Sequence, residues 1–293
     1  MSMSRRLKSA LNQCAATADE ALRDLSVFRE DHGQALCCSY SLNAGGKRIR
    51  PFFVLQSCAA LGGDLHRAVP AACSVEMIHT YSLIHDDLPG MDDDSIRRGK
   101  PSLHVVYGTE NALFAGDRLL LEAFRTLIKT DLPSLQVRAM LRRLVSAAGA
   151  SSLVGGQFMD MYHPDTADRS WTERMVSGKT SAMIRVSMEL GSIVAGVSDG
   201  ELEAISEIGE DTGWLFQLTD DILDVTGNPE EMGKAVSKDA DMGKWNPVNE
   251  LGVDGAKKLA LENAASISQR LDSLSGDWSV VKELIDYLPE RRK

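Results

Sequence analysis

The chain has 293 residues, 43% of them hydrophobic and 25% charged, which excludes a disordered chain and leaves material for a sizeable core. Its formal net charge of -10 argues against general nucleic-acid binding, so any bound phosphate must be held by local basic clusters or metal ions. No Pro/Ser-rich linker divides the sequence, and a single domain over residues 1–293 is expected.

The N-terminal "MSMSRRLKSALNQC" has basic residues without an apolar stretch after them, and no later run is long enough to cross a bilayer, which points to a cytoplasmic protein. Cys14, Cys37, Cys38, Cys58 and Cys73 lack metal-ligand spacing and read as free, buried thiols. Apolar residues recur at three and four spacing through most of the chain, as in "LQVRAMLRRLVSAAGASSLVGG" and "VKELIDYL", while strand-like alternation is scarce. The expected fold class is all-α.

In "GGKRIRP", Arg50 precedes Pro51 and is expected to be extended, with a helix starting at Pro51 in "PFFVLQSCAAL". Flexible glycines, a few cations and a helix N-terminus make an anion site. The next segment, "EMIHTYSLIHDDLPGMDDDSIRRGKP", predicts an apolar helix ending near Asp87, with Glu76, His79, Ser82 and Asp86 on one face. Pro89 and Gly90 then break it so that Asp92 folds back. Arg97, Arg98 and Lys100 follow, and arginine forks match phosphate oxygens.

The glycine pairs Gly45-Gly46, Gly62-Gly63 and Gly155-Gly156 punctuate helices or permit close approach. Lys179 and Thr180 stand in "SGKTSAM". In "WLFQLTDDILDV", Gln217, Asp220 and Asp224 share a helix face with Asp221 beside them, and Leu215, Leu218, Ile222 and Val225 form an apolar stripe. From Thr226 to Pro247 the periodicity fails, and the segment, with Lys234, Lys238 and Lys244, reads as a functional loop.

A single aspartate pair is usually a solvated face, but two packed acidic clusters repel unless a counter-charge is present. Mg²⁺ suits them, because it takes a few carboxylates and completes its shell with water and phosphate oxygens. Calcium would want a twelve-residue loop with a terminal glutamate, and zinc would want paired histidines or cysteines.

The ordered set "GGKRIRP", "EMIHTYSLIHDDLPGMDDDSIRRGKP", "GGQ", "GKT" and "FQLTDDILDV" resembles the trans-isoprenyl diphosphate synthases, or polyprenyl synthetases. The resemblance implies a helical bundle around a central apolar cavity and prenyl transfer between isopentenyl diphosphate and an allylic diphosphate, by a homodimer using three Mg²⁺ ions. By that resemblance Asp86, Asp87, Asp92, Asp220, Asp221 and Asp224 are metal ligands. Lys47, Arg50, His79 and Arg98 form the isopentenyl diphosphate pocket, and Arg97, Lys179, Thr180, Gln217, Lys234 and Lys244 contact the allylic diphosphate. The C-terminal "PERRK" is similar to a basic tail that closes over the site in some members.

Tyr81, five before the first aspartate, together with the longer "DDLPGMD" spacing, is similar to the bacterial farnesyl diphosphate synthase pattern, although Ser82 lies more directly beneath Asp86 on an ideal helix. Geranylgeranyl and geranyl diphosphate synthases are the alternatives. A terpene cyclase would want more aromatics than the 5% present and no isopentenyl site, and a non-catalytic subunit would tolerate damaged acidic motifs. One departure from the family is "GKWNPVNELG", where many members have Thr-Tyr after the lysine matching Lys244.

Overall fold

A computed structural model describes residues 3–25, 28, 33–164, 167–226 and 245–291. The helices are α1 (Arg5–Asp24), α2 (Gly33–Leu42), α3 (Ile49–Ala60), α4 (Leu65–Asp86), α5 (Leu103–Tyr107), α6 (Thr109–Ile128), α7 (Ser134–Ala148), α8 (Leu153–Met161), α9 (Arg169–Val176), α10 (Ala182–Ala195), α11 (Asp199–Thr226), α12 (Pro247–Leu271) and α13 (Ser279–Tyr287). The fold is all-α, as the periodicity predicts. All five cysteines are free and buried.

Two helices make the centre. α4 is buried continuously from Ala71 to Ile78, and α10 from Ala182 to Ile184 and Val186 to Val194, so each is covered around its whole girth over these stretches. α4 packs on α6 and α3, and α10 packs on α11, α3 and α7. One continuous core runs from Leu7 to Leu288 through these layers. Burial of this kind fixes where the polar ends of α4 and α11 emerge.

α4 stops where its sequence says it should. Beyond Asp87 the chain turns through Pro89 and Gly90, and the Asp92 amide donates to the Asp86 carbonyl at 2.8 Å. The expected fold-back is observed. It leads into a feature that the periodicity did not reveal, a hairpin pairing β1 (Ile96–Arg97) with β2 (Lys100–Pro101). Its two turn residues, Arg98 and Gly99, have φ of 53° and 73°, the left-handed pair that a two-residue hairpin needs. A left-handed arginine costs about 1–2 kcal/mol, which the contacts of its side chain must offset.

α3 also departs from expectation, beginning at Ile49 with Arg50 already helical. The preceding Arg48 takes φ 49° and is the true break point. Pro51 fits because amides of the first turn have no intrahelical partner to lose. α9 and α10 are joined by a π-helical turn, Ser177–Ser181, which carries Lys179 and Thr180. π-turns inserted in α-helices are frequently functional. This one lies against α8: a Cβ on Gly156 would meet the Lys179 backbone nitrogen at 2.3 Å, and one on Gly178 the Ser152 carbonyl oxygen at 2.8 Å. On α11, Leu215, Leu218 and Ile222 are buried as expected, but Val225 is 54% exposed because the core ends one turn before the helix does.

Candidate active site

At the end of α4, Asp87 is buried, Asp86 half-buried and Asp92 exposed. Arg97 grips Asp87, its Nε donating at 2.9 Å and 3.2 Å to the two carboxylate oxygens while Nη2 reaches Oδ1 as well, and it pairs with Asp94 at 3.3 Å. Asp86 is treated differently. Burial pushes its carboxyl up to about 7; Lys179 and Arg97 oppose the rise, while Asp92 and Asp87 add to it.

Facing this group is the π-turn. Lys179 Nζ donates to Asp160 on α8 at 2.6 Å and also lies in the fields of Asp86 and Asp92. Thr180 Oγ1 donates to Gln217 Oε1 at 3.0 Å, and Gln217 Nε2 donates to Asp221 Oδ1 at 2.9 Å, which ties the turn to the acidic end of α11. Gln157, one turn before Asp160, has both amide atoms buried without a hydrogen-bond partner. That environment suits a polar group only when something else completes it.

On α11 Asp221 is buried, Asp220 half-buried and Asp224 exposed. The C-terminal arginine Arg291 reaches into this cluster: Nη2 donates to Thr219 Oγ1 at 2.8 Å, to the Phe216 carbonyl at 3.2 Å and to Asp220 Oδ1, and the guanidinium sits 4.4 Å from the Phe216 ring centre. Burial raises the Asp220 carboxyl against the opposing charges of Arg291, Lys47 and Arg50.

Lys47 and Arg50 lie in the field of Asp220, and Arg50 and Arg98 in that of His79. Lys47 is exposed, whereas Arg50 has its Nε buried without a partner, and burial brings its guanidinium down to about 10 against the pull of Glu76 and Asp220. Arg98 Nη1 donates to the Gly45 carbonyl oxygen, and its guanidinium lies flat against Gly46, where a Cβ would come within 2.9 Å. Burial, followed by the charges of Arg50, Arg98, Arg48 and Arg97, pushes His79 well below the usual imidazole range, so it is neutral at pH 7.

Tyr81 is buried on the side of α4 turned to α6, its ring edge-on to His85 at 5.6 Å, and His85 Nε2 lies 3.1 Å from the Leu113 carbonyl oxygen. Burial and then the Asp86 charge push its phenol up to about 12. Ser82 folds back to donate to the His79 carbonyl at 2.9 Å. Lys234, Lys238 and Lys244 lie outside the described residues. Arg48 and Asp160 have no role in the sequence reading; the only available signals were an arginine between two other assigned cations and an aspartate one turn after the glutamine of "GGQ".

Among the described residues, no three Asp, Glu, His or Cys side chains converge enough to hold a metal ion unaided. The donor set nonetheless fits Mg²⁺. It consists of hard carboxylate oxygens, and burial makes the ionised forms of Asp86 and Asp220 costly, a cost that a bound divalent cation would offset. Such an ion would take one or two carboxylates and draw its remaining ligands from water and a diphosphate.

An all-helical core that brings two aspartate-rich helix ends together with a cluster of arginines defines the class of prenyl diphosphate synthases. The family model for polyprenyl synthetase matches residues 34–273, and the chain belongs to that family. It is 39% identical to farnesyl diphosphate synthase of Micrococcus luteus over 87% of this chain and 88% of that one. It is equally 39% identical to the chloroplastic geranylgeranyl pyrophosphate synthase of Capsicum annuum, over 97% of this chain and 78% of the relative. The structure superimposes with a TM-score of 0.82 on a geranyltransferase from Helicobacter pylori complexed with magnesium and isoprenyl diphosphate, at 30% identity and covering 99% of this chain and 98% of that one. The protein is a prenyltransferase.

Proposed function

We propose that the enzyme condenses isopentenyl diphosphate with dimethylallyl and then geranyl diphosphate and stops at farnesyl diphosphate, fifteen carbons long. The observation that carries the length is Tyr81, a buried ring wedged towards α6 within the field of Asp86, where a growing chain anchored at the aspartates would meet it. Relatives of both the farnesyl and the geranylgeranyl kind match this chain, so product length rests on this residue.

In this reading Asp86, Asp87 and Asp92 on one side and Asp220, Asp221 and Asp224 on the other hold the allylic diphosphate through metal. These carboxylates would hold Mg²⁺, three ions by the family resemblance, which would supply Lewis-acid neutralisation of the charge on the leaving diphosphate. Arg97 and Lys179, each anchored by a carboxylate, orient its oxygens together with Thr180 and Gln217, and Lys234 and Lys244 are assigned to the same group. Lys47, Arg50, Arg98 and neutral His79 bind the isopentenyl diphosphate.

The allylic C1–O bond breaks with its electron pair on the diphosphate, and the terminal double bond of isopentenyl diphosphate attacks C1. The proton then lost passes to the released diphosphate. Holding both partners in one site supplies much of the rate, and Arg291, over the Phe216 ring, is placed to close the site against water.

The continuous core supports reading residues 1–293 as one domain. A homodimer is supported by α6, whose exposed Phe114, Leu121 and Ile128 recur every seven residues and so share one face. No helix among the described residues is long and apolar enough to cross a membrane, and the proposed location is cytoplasmic. Incubation with isopentenyl diphosphate, Mg²⁺ and each of dimethylallyl, geranyl and farnesyl diphosphate, followed by chromatography, tests the proposal. Farnesyl diphosphate should dominate, and a twenty-carbon main product would overturn the assigned length.

A further inference from the structure

Glu76 is a buried carboxylate, 2% exposed, ringed by three arginines. Its Oε1 accepts a hydrogen bond from Arg48 Nη1 and lies 3.7 Å from Arg98 Nη2, and its charge is the strongest attraction acting on Arg50. Arg48, 4% exposed, is tied on its other edges as well: Nε donates to Asp19 Oδ1 at 2.7 Å and Nη2 to the Leu42 carbonyl at 2.6 Å. All three of these hydrogen bonds go to oxygens of the protein itself. Nothing in the reaction uses it directly, yet it sits between Lys47 and Arg50 in the chain.

We infer that Arg48 is a positioning residue for isopentenyl diphosphate: by occupying the Glu76 carboxylate it keeps Arg50 and Arg98 available to the substrate. The inference rests on the assignment of that pocket under the proposed function. The physical argument is one of competition. A buried carboxylate must be paired, and Arg98 is the next cation in contact range of Glu76 Oε1. Without Arg48, Glu76 closes on Arg98 and draws Arg50 after it, so that two diphosphate ligands are spent on a carboxylate. Asp19, with a third of its side chain exposed, is left to water at little cost.

The test is a double-mutant cycle of Arg48→Met and Glu76→Gln, read by calorimetric binding of isopentenyl diphosphate and by KM for each substrate. Arg48→Met should weaken isopentenyl diphosphate about tenfold or more, with the allylic KM and kcat at saturation within about twofold. Adding Glu76→Gln should restore affinity to within about threefold of wild type, because the competitor is gone. A double variant as weak as Arg48→Met alone, or an Arg48→Met variant with unchanged affinity, overturns the inference and leaves Arg48 a packing residue. Should Arg48→Met not fold, Glu76→Gln alone decides: unchanged or tighter binding is expected, and a loss beyond about fivefold overturns it. Lys47→Ala, run beside these, separates the two readings. If it moves only the allylic KM, the pocket assignment itself is wrong.

Discussion

Replacing Asp86 by asparagine should stabilise the metal-free enzyme while abolishing its turnover. The folded carboxyl titrates at about 7 against an ordinary 3.8, chiefly because it is buried and then because Asp92 and Asp87 stand near it. A displacement of that size corresponds to about 4 kcal/mol at most, and partial exposure of the side chain reduces the expected effect to about 2–3 kcal/mol. Because the folded value lies above the unfolded one, folding favours the neutral acid: this stability is complete below about pH 4 and is lost as the pH rises through about 7. An asparagine does not titrate and keeps it.

Thermal unfolding in EDTA between pH 5 and pH 8 reads the difference directly. The Asp86→Asn protein should exceed wild type only modestly near pH 5, where less than half of the difference has developed, and by about 4–8 °C at pH 8. Mg²⁺ with inorganic pyrophosphate should close the gap by stabilising wild type alone. Melting curves that stay parallel across the range would refute the claim that burial makes the ionised Asp86 carboxylate costly in the metal-free state.

Three further outcomes are expected. Lys47→Ala should raise the KM for isopentenyl diphosphate and Arg97→Ala that for the allylic substrate, each by about tenfold with little effect on the other, since each cation is assigned to one diphosphate; equal effects on both would dissolve that division. Tyr81→Ala should shift the main product from fifteen towards twenty carbons with the first condensation intact, and an unchanged product places the floor of the pocket elsewhere. Arg291→Ala should lower the Mg²⁺ concentration giving half-maximal binding of the allylic diphosphate about threefold, because Arg291 occupies Asp220 in the metal-free chain; a rise instead would mean that Arg291 assists the metal rather than competing with it.

Helix content was legible in the sequence because three and four spacing persists through α4, α6, α7 and α11, and the break after Asp87 was legible because proline and glycine leave few alternatives. The hairpin of Ile96–Pro101 was not, since two-residue strands have no periodicity to read. Nor could "GGKRIRP" reveal which of its cations turns inward. That depends on the left-handed backbone at Arg48 and on carboxylates that α1 and α4 bring from 29 and 28 residues away. The aspartates were readable as a pattern of charge, but the ion pair between Lys179 and Asp160 needed the close approach of α8 to the π-turn, which only the glycines hinted at.

The central claim is that the aspartates of α4 and those of α11 act together on one diphosphate. Incorporation of labelled isopentenyl diphosphate at saturating Mg²⁺ should fall by a factor of about a thousand or more in both Asp86→Ala and Asp220→Ala, each still folded, because either change removes charge stabilisation that grows as the leaving group departs. Wild-type-like incorporation by either variant would contradict it.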